Sequence, residues 1–246
     1  MLLISFLRRH WDWLGCALLA LAFIGHGELD LAFSGLFYRP GDGFFLSGTP
    51  EVRLVHELVP ALAVVLPSLL LALWLLGFFP RCGRLRRHQP ALLYLLLCFA
   101  LGPGLLVNTL FKSHWGRARP AEVVQFGGDK VFTPPFVISD QCQRNCSFVC
   151  GHASAGFALC ALGFLTRRRL WFGVAGALGG LWGLARVAHG KHFLSDVVFS
   201  FFAVYFCAKL LHFAMFHPLS PLQRRAGLNP GDRPAARFPT LDKSLP

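Results

Sequence analysis

The chain has 246 residues, of which 54% are hydrophobic and only 15% charged, with a formal net charge of +12. A soluble domain carries about 25% charged residues, so this composition argues against a single water-soluble core and for apolar residues gathered into membrane spans. The basic excess does not read as a nucleic-acid surface, because it lies in short runs beside apolar stretches: Arg8 and Arg9; Arg81, Arg84, Arg86 and Arg87; Arg167 to Arg169; and Arg224, Arg225, Arg233, Arg237 and Lys243. That is the cytoplasmic bias of a membrane protein.

A crossing helix needs about 20 mostly apolar residues. In chain order, the first candidate runs from Trp13 to Gly25 and is then interrupted by His26, Glu28 and Asp30. Leu2 to Leu7 lacks a basic lead and a cleavage site, so no cleavable signal peptide is expected there. The segment 27–56, with Phe33, Leu36, Phe37, Tyr38, Phe44, Phe45 and Leu46, is expected along a membrane surface. Val59 to Phe79 and Pro90 to Phe111 are the next two spans, the latter bent at Gly102, Pro103 and Gly104. The stretch from His152 to Leu165 is short and must extend backward through Phe148 to cross. Leu170 to Val187 is glycine-rich, which permits close helix packing. Phe193 to Phe216 closes the set, with Lys209 free to reach an interface.

These six spans predict an all-α fold, a polytopic helical bundle over residues 1–216, followed by a basic cytoplasmic tail, 217–246, of disordered character. With six crossings, both termini and the basic loops 80–89 and 166–169 share the cytoplasmic side. The loops 27–56, 112–147 and 188–191 then share the opposite one.

Three groups of ionisable residues fall at span ends on that opposite face, where charge calls for a reason. They are Lys112 with Arg119-Pro120, then Cys150-Gly151-His152, then Arg186 with His192 and Asp196. Phosphoryl transfer needs fixed donors for negative charge. Lys112, Arg119 and Arg186 supply three cations, two of them able to fork onto phosphate oxygens. Gly151, at a helix start, offers close backbone approach and free N–H groups. His192 and Asp196 are four apart and are expected on one helix face, the carboxylate holding one ring nitrogen so that the other attacks. His152 would protonate the leaving alkoxide and later activate water. Each part alone has a plainer reading as interface anchor or helix-face hydrogen bond; the joint order, spacing and membrane side do not.

The same groups resemble the three signature motifs of the type-2 phosphatidic acid phosphatase (PAP2) and vanadium haloperoxidase superfamily, KxxxxxxRP, PSGH and SRxxxxxHxxxD. Here they stand as KSHWGRARP at 112–120, FVCGH at 148–152 and ARVAHGKHFLSD at 185–196. The resemblance implies a helical bundle with His192 as nucleophile, Asp196 as its partner and His152 as acid. It implies phosphate binding by Lys112, Arg119, Cys150, Gly151 and Arg186, with no metal and no cofactor. Two departures stand out: Val149-Cys150 replaces Pro-Ser, and Ala185 replaces Ser. A thiol is a weaker donor than a hydroxyl.

His114, Arg117, His189 and Lys191 lie near these motifs and read equally as site residues or loop polarity. Cys142, Cys146 and Cys150 recur at every fourth residue, which is not the paired spacing of structural zinc. On an envelope-facing side a Cys142–Cys146 disulfide is one reading and free thiols the other.

GRARP and NCSFVCGHAS look most like bacterial envelope phosphatases, especially those acting on lipid A. The function expected is a lipid phosphate phosphatase of the bacterial inner membrane, with its site on the periplasmic face and lipid A as favoured substrate. Undecaprenyl pyrophosphate and phosphatidylglycerophosphate are the alternatives. A vanadate-dependent haloperoxidase and a non-catalytic scaffold are the competing classes. The partners expected are lipid and bilayer, with no nucleic acid.

Overall fold

The computed structural model describes residues 2–216, with side chains from residue 10 onward; the segment 217–246 and the expectation made for it lie outside the described residues. The chain is helical, apart from a hairpin of two-residue strands, β1 (Tyr38–Arg39) and β2 (Gly43–Phe44). Helix α1 (Leu2–Gly25) is followed, after a bend of 83°, by α2 (Glu28–Gly35). The polar run at 26–30 therefore redirects the chain, and Asp30 is fully buried.

Helix α3 (Pro50–Leu76) begins nine residues before its apolar run, with Pro50 in the first turn, where its missing N–H costs nothing. The extra turns carry Glu51, Arg53, His56 and Glu57 beyond the apolar stretch. Helix α4 runs unbroken through Pro80–His114, so most of the basic stretch expected as a loop at 80–89 is helical. At Pro103 the helix widens over Ala100–Phe111 instead of breaking. There Asn108 Nδ2 donates to the Pro103 carbonyl at 2.8 Å and Thr109 Oγ1 to that of Gly104 at 3.2 Å.

Helix α5 (Gly151–Thr166) does not extend back to Phe148. The preceding backbone is bound elsewhere: Ser147 N–H donates to the Arg117 carbonyl at 3.0 Å and Cys150 N–H to that of Asp196 at 3.0 Å. Sixteen residues span about 24 Å, less than a hydrocarbon core of ~30 Å. Helices α6 (Leu170–Ala188) and α7 (Leu194–Phe216) complete the described chain. Among the described residues, four helices, α3, α4, α6 and α7, are long and apolar enough to cross a membrane, and the bent α1–α2 pair makes up to five. Of the six spans expected from sequence, the structure thus supports four to five, and α5 is the one that falls short in length.

Glycine sets the packing of α5 on α6, as its abundance in α6 implied. A Cβ on Gly156 would stand 2.6 Å from Gly179 N, and one on Gly183 would meet Ala153 of α5 at 3.2 Å and strike a Val197 methyl of α7. Lys209, expected to reach an interface, has a partner in the protein. It is ion-paired with buried Asp12, which fastens α1 to α7 beside the stacked Trp13 and Phe206 rings. The segment 27–56 is also less superficial than expected. Phe44 is buried against Tyr38 and Phe126 and covers the Gly190 turn, although Leu36 and Phe45 stay exposed.

Candidate active site

The site lies at one end of the bundle, where α2, the start of α3, the end of α4, the loop 115–150 and the α6–α7 turn meet. Backbone hydrogen bonds join its parts. Besides the Ser147 and Cys150 contacts, Cys146 N–H donates to the Lys112 carbonyl at 3.3 Å and Ala121 N–H to that of Gly190 at 3.0 Å. All three sequence groups are therefore brought together. The disulfide Cys142–Cys146 is present, and it closes the loop just before Ser147.

His192 is 1% exposed. It precedes α7 instead of sitting on its face, so the helical pairing expected with Asp196 is replaced by a cap. Asp196, in the first turn of α7, folds back to accept the Phe193 N–H at 2.8 Å. The same Oδ2 lies 3.4 Å from His192 Nδ1. That nitrogen has no hydrogen-bond partner among the described residues, so Asp196 is its nearest ionic group.

Asp196 is held from every side. Its Oδ2 also accepts from Ser147 Oγ at 2.5 Å, and its Oδ1 from Arg117 Nη1 at 2.6 Å. Arg117 is wholly buried and reaches Asp30 with Nη2 at 2.8 Å. It belongs to the scaffold of the site, which settles its two sequence readings.

The cations surround this pair. Lys112 Nζ donates to Asn145 Oδ1 at 3.1 Å and Arg119 Nη2 to the Asn145 carbonyl at 2.6 Å. Asn145 adopts the left-handed φ of 53° that sets both acceptors toward them. Arg186 is 4% exposed, and its Nη1 donates to Nδ1 of His56 at 3.1 Å and of His189 at 3.0 Å. Arginine has no acceptor, so both rings accept and carry their proton on the far nitrogen. Burial, with Arg186 and Lys191 nearby, pushes the His189 imidazole down to about 4. Burial with Arg119 and Arg186 likewise lowers Lys191 below the usual lysine range.

His152 stacks on His56 at 5.8 Å, and its Nε2 is buried without a hydrogen-bond partner among the described residues. Gly151 admits no side chain: a Cβ would come 2.6 Å from Asn108 Oδ1 and 3.2 Å from Lys112 Nζ. Cys150 is fully buried at the helix start, with its thiol interacting with the His192 ring. His114 lies apart, its Nδ1 on the Leu110 carbonyl at 2.8 Å. Among the described residues, no group of three or more His, Cys, Asp or Glu is placed to hold a metal ion.

Sequence reasoning missed His56, Asn108, Asn145, Ser147 and Ser195, and read Asp30 only as an interruption. The available signal was Asp30 and Asn108 themselves, polar residues in or beside apolar runs.

A buried histidine–carboxylate pair thus lies at one end of a helical bundle, on segments joined to those that carry Lys112, Arg119 and Arg186. The PAP2 superfamily model matches residues 91–217, and the chain belongs to that superfamily. Three relatives carry the name lipid A 4'-phosphatase. One from Francisella tularensis subsp. novicida is 39% identical over 198 residues, covering 79% of this chain and 89% of its own. One from Rhizobium leguminosarum is 34% identical over 207 residues, covering 76% and 86%, and one from Rhizobium etli 31% over 214, covering 78% and 80%. No solved structure matches the chain.

Proposed function

We propose that this chain is an integral-membrane phosphatase that removes the 4'-phosphate of lipid A through a phosphohistidine at His192. The observation that carries the reading is the buried His192–Asp196 pair, 3.4 Å apart, beside Lys112, Arg119 and Arg186. The names of relatives matching more than three quarters of the chain support the substrate.

In this reading Lys112, Arg119, Arg186 and the Gly151 N–H hold the phosphate oxygens, whose charge they stabilise most as the transition state spreads it. Asp196 keeps the proton on His192 Nδ1, and Nε2 attacks phosphorus. The bond from phosphorus to the sugar oxygen breaks, and His152 gives that oxygen its proton. Water then attacks the phosphohistidine, His152 takes the water's proton, the phosphorus–nitrogen bond breaks and phosphate leaves. No step is assigned to a cofactor. Cys150 completes the phosphate pocket with a weaker donor than a hydroxyl.

The membrane arrangement belongs to the same proposal. The short α5 is a sixth crossing, made possible where the polar loop 115–150 enters the bilayer edge. The PAP2-type unit is residues 1–216, and the basic segment 217–246 lies in the cytoplasm. The Arg81–Arg87 and Arg167–Arg169 runs, read as the cytoplasmic side, support a site on the periplasmic face of a bacterial inner membrane.

The test offers purified protein lipid A, phosphatidylglycerophosphate and undecaprenyl pyrophosphate side by side. Phosphate release should be fastest from lipid A, with the 4' position lost by mass spectrometry. A faster rate on either other lipid would reassign the substrate.

A further inference from the structure

Three charges are fully buried behind the site: Asp30, Arg117 and Asp196, each 0–1% exposed. Such arrays are poor stabilisers. Replacing a buried ion network by apolar residues of similar volume is often neutral or stabilising, because desolvation offsets the attraction. The network therefore calls for a reason other than stability. Four of the five N–H donors of Arg117 are engaged: Nε on the Thr133 carbonyl at 2.8 Å, Nη1 on Asp196 Oδ1 at 2.6 Å and Ser195 Oγ at 2.9 Å, and Nη2 on Asp30 Oδ2 at 2.8 Å. The guanidinium also lies 4.3 Å over the Phe193 ring. Asp30 in turn accepts the Ser195 N–H at 2.8 Å and its hydroxyl at 2.5 Å.

Two consequences follow for Asp196. Its Oδ1 is held by one N–H of a guanidinium whose other side is pinned by Asp30, and its Oδ2 by Ser147 and the Phe193 N–H, which leaves Oδ2 toward His192. Its charge is also preserved. Arg117 alone would cancel Asp196, whereas the three groups together carry one net negative charge. That charge remains available to a histidine that becomes cationic when phosphorylated.

We propose that Arg117, braced by Asp30 and Ser195, is the positioning residue that aims the Asp196 carboxylate at His192. The proposal rests on His192 being the nucleophile. It joins α2, outside all three sequence motifs, to the reacting centre.

The test uses the full chain in detergent with Asp30→Asn, Arg117→Lys and Ser195→Ala. Turnover of lipid A is measured with the binding of inorganic phosphate and of orthovanadate. Phosphate needs only the cations, whereas vanadium also accepts a bond from a correctly aimed imidazole nitrogen. Asp30→Asn and Arg117→Lys should lower kcat by about 10- to 100-fold, the usual loss when the outer partner of a working histidine is removed. Vanadate affinity should fall by a similar factor, with KM and phosphate affinity kept within about twofold. Ser195→Ala keeps all three charges and should show the same pattern at several-fold; if the charge variants do not fold, it decides alone. Wild-type kcat and vanadate affinity in a folded variant would overturn the proposal, and so would a parallel loss of both anions, which marks a merely structural role. If His192→Ala itself keeps wild-type turnover, the nucleophile assignment falls and this inference with it.

Discussion

At the scale of single residues, the departure that matters most is sulfur at position 150. Cys150 is buried beside His192 and next to the Gly151 N–H. A hydroxyl there would recover one hydrogen bond to a charged group, worth roughly 1.5 kcal/mol or about tenfold in rate. Cys150→Ser should therefore raise phosphate release by about tenfold; an unchanged rate would mean that the pocket has adjusted to the thiol. His189 gives a second residue-scale expectation. Its folded value of about 4 lies below the ordinary value near 6.5. The unfolded chain then binds more protons between those values, so the stability His189 contributes is present above about pH 6.5 and lost as pH falls toward about 4. Melting followed across that window should decline less steeply in His189→Gln than in wild type, and equal slopes would contradict the assignment. His192, Asp196, His152 and the three cations stood out in the sequence because they fall at fixed spacings within three short segments, which the fold brings to one end of the bundle. Asp30, Arg117, Ser147 and Asn145 did not, because each acquires its meaning from a partner in another segment: Asp30 meets Arg117, Ser147 meets Asp196, and Asn145 meets Lys112 and Arg119.

At the scale of elements, apolar length found α6 and α7 to within a residue at each end, but cut short the polar ends of α3 and α4. The early turns of α3 and the basic turns of α4 are polar, so hydropathy alone cuts them off, although helical hydrogen bonding continues through them. His56 lies in such a turn, which is why it was overlooked. The start of α7 was misplaced in the other direction. His192 and Asp196 have helical spacing, yet the helix begins at Leu194 and the carboxylate serves as its cap. The glycine stripe between α5 and α6 was read correctly, because small residues matter there only through close approach. Gly156→Leu should push the helices apart against the Gly179 backbone, costing about 1–3 kcal/mol. Gly176→Ala, on the same helix as Gly179 but with open space around it, should be neutral or stabilising by up to about 1 kcal/mol. Melting midpoints in detergent compare the two, and similar values would show that the contact is not tight.

At the scale of the whole molecule, the Arg81–Arg87 and Arg167–Arg169 runs and the site lie at opposite ends of the bundle. A single cysteine at the exposed Asp129, in a background lacking Cys142 and Cys146, should react with an impermeant thiol reagent in intact cells whose outer membrane admits it. Labelling only after the inner membrane is opened would reverse the orientation. The helical path accounts for this polarity: Asp30, the start of α3, the end of α4, the start of α5, the end of α6 and the start of α7 converge on one end, as antiparallel crossings require. In the proposed reading this end performs phosphoryl transfer through His192. The most direct measurement is phosphate release from lipid A by His192→Ala against wild type at equal folded protein. Loss of a covalent nucleophile should lower turnover by about 10⁴-fold or more, whereas near-normal release by His192→Ala would contradict the mechanism.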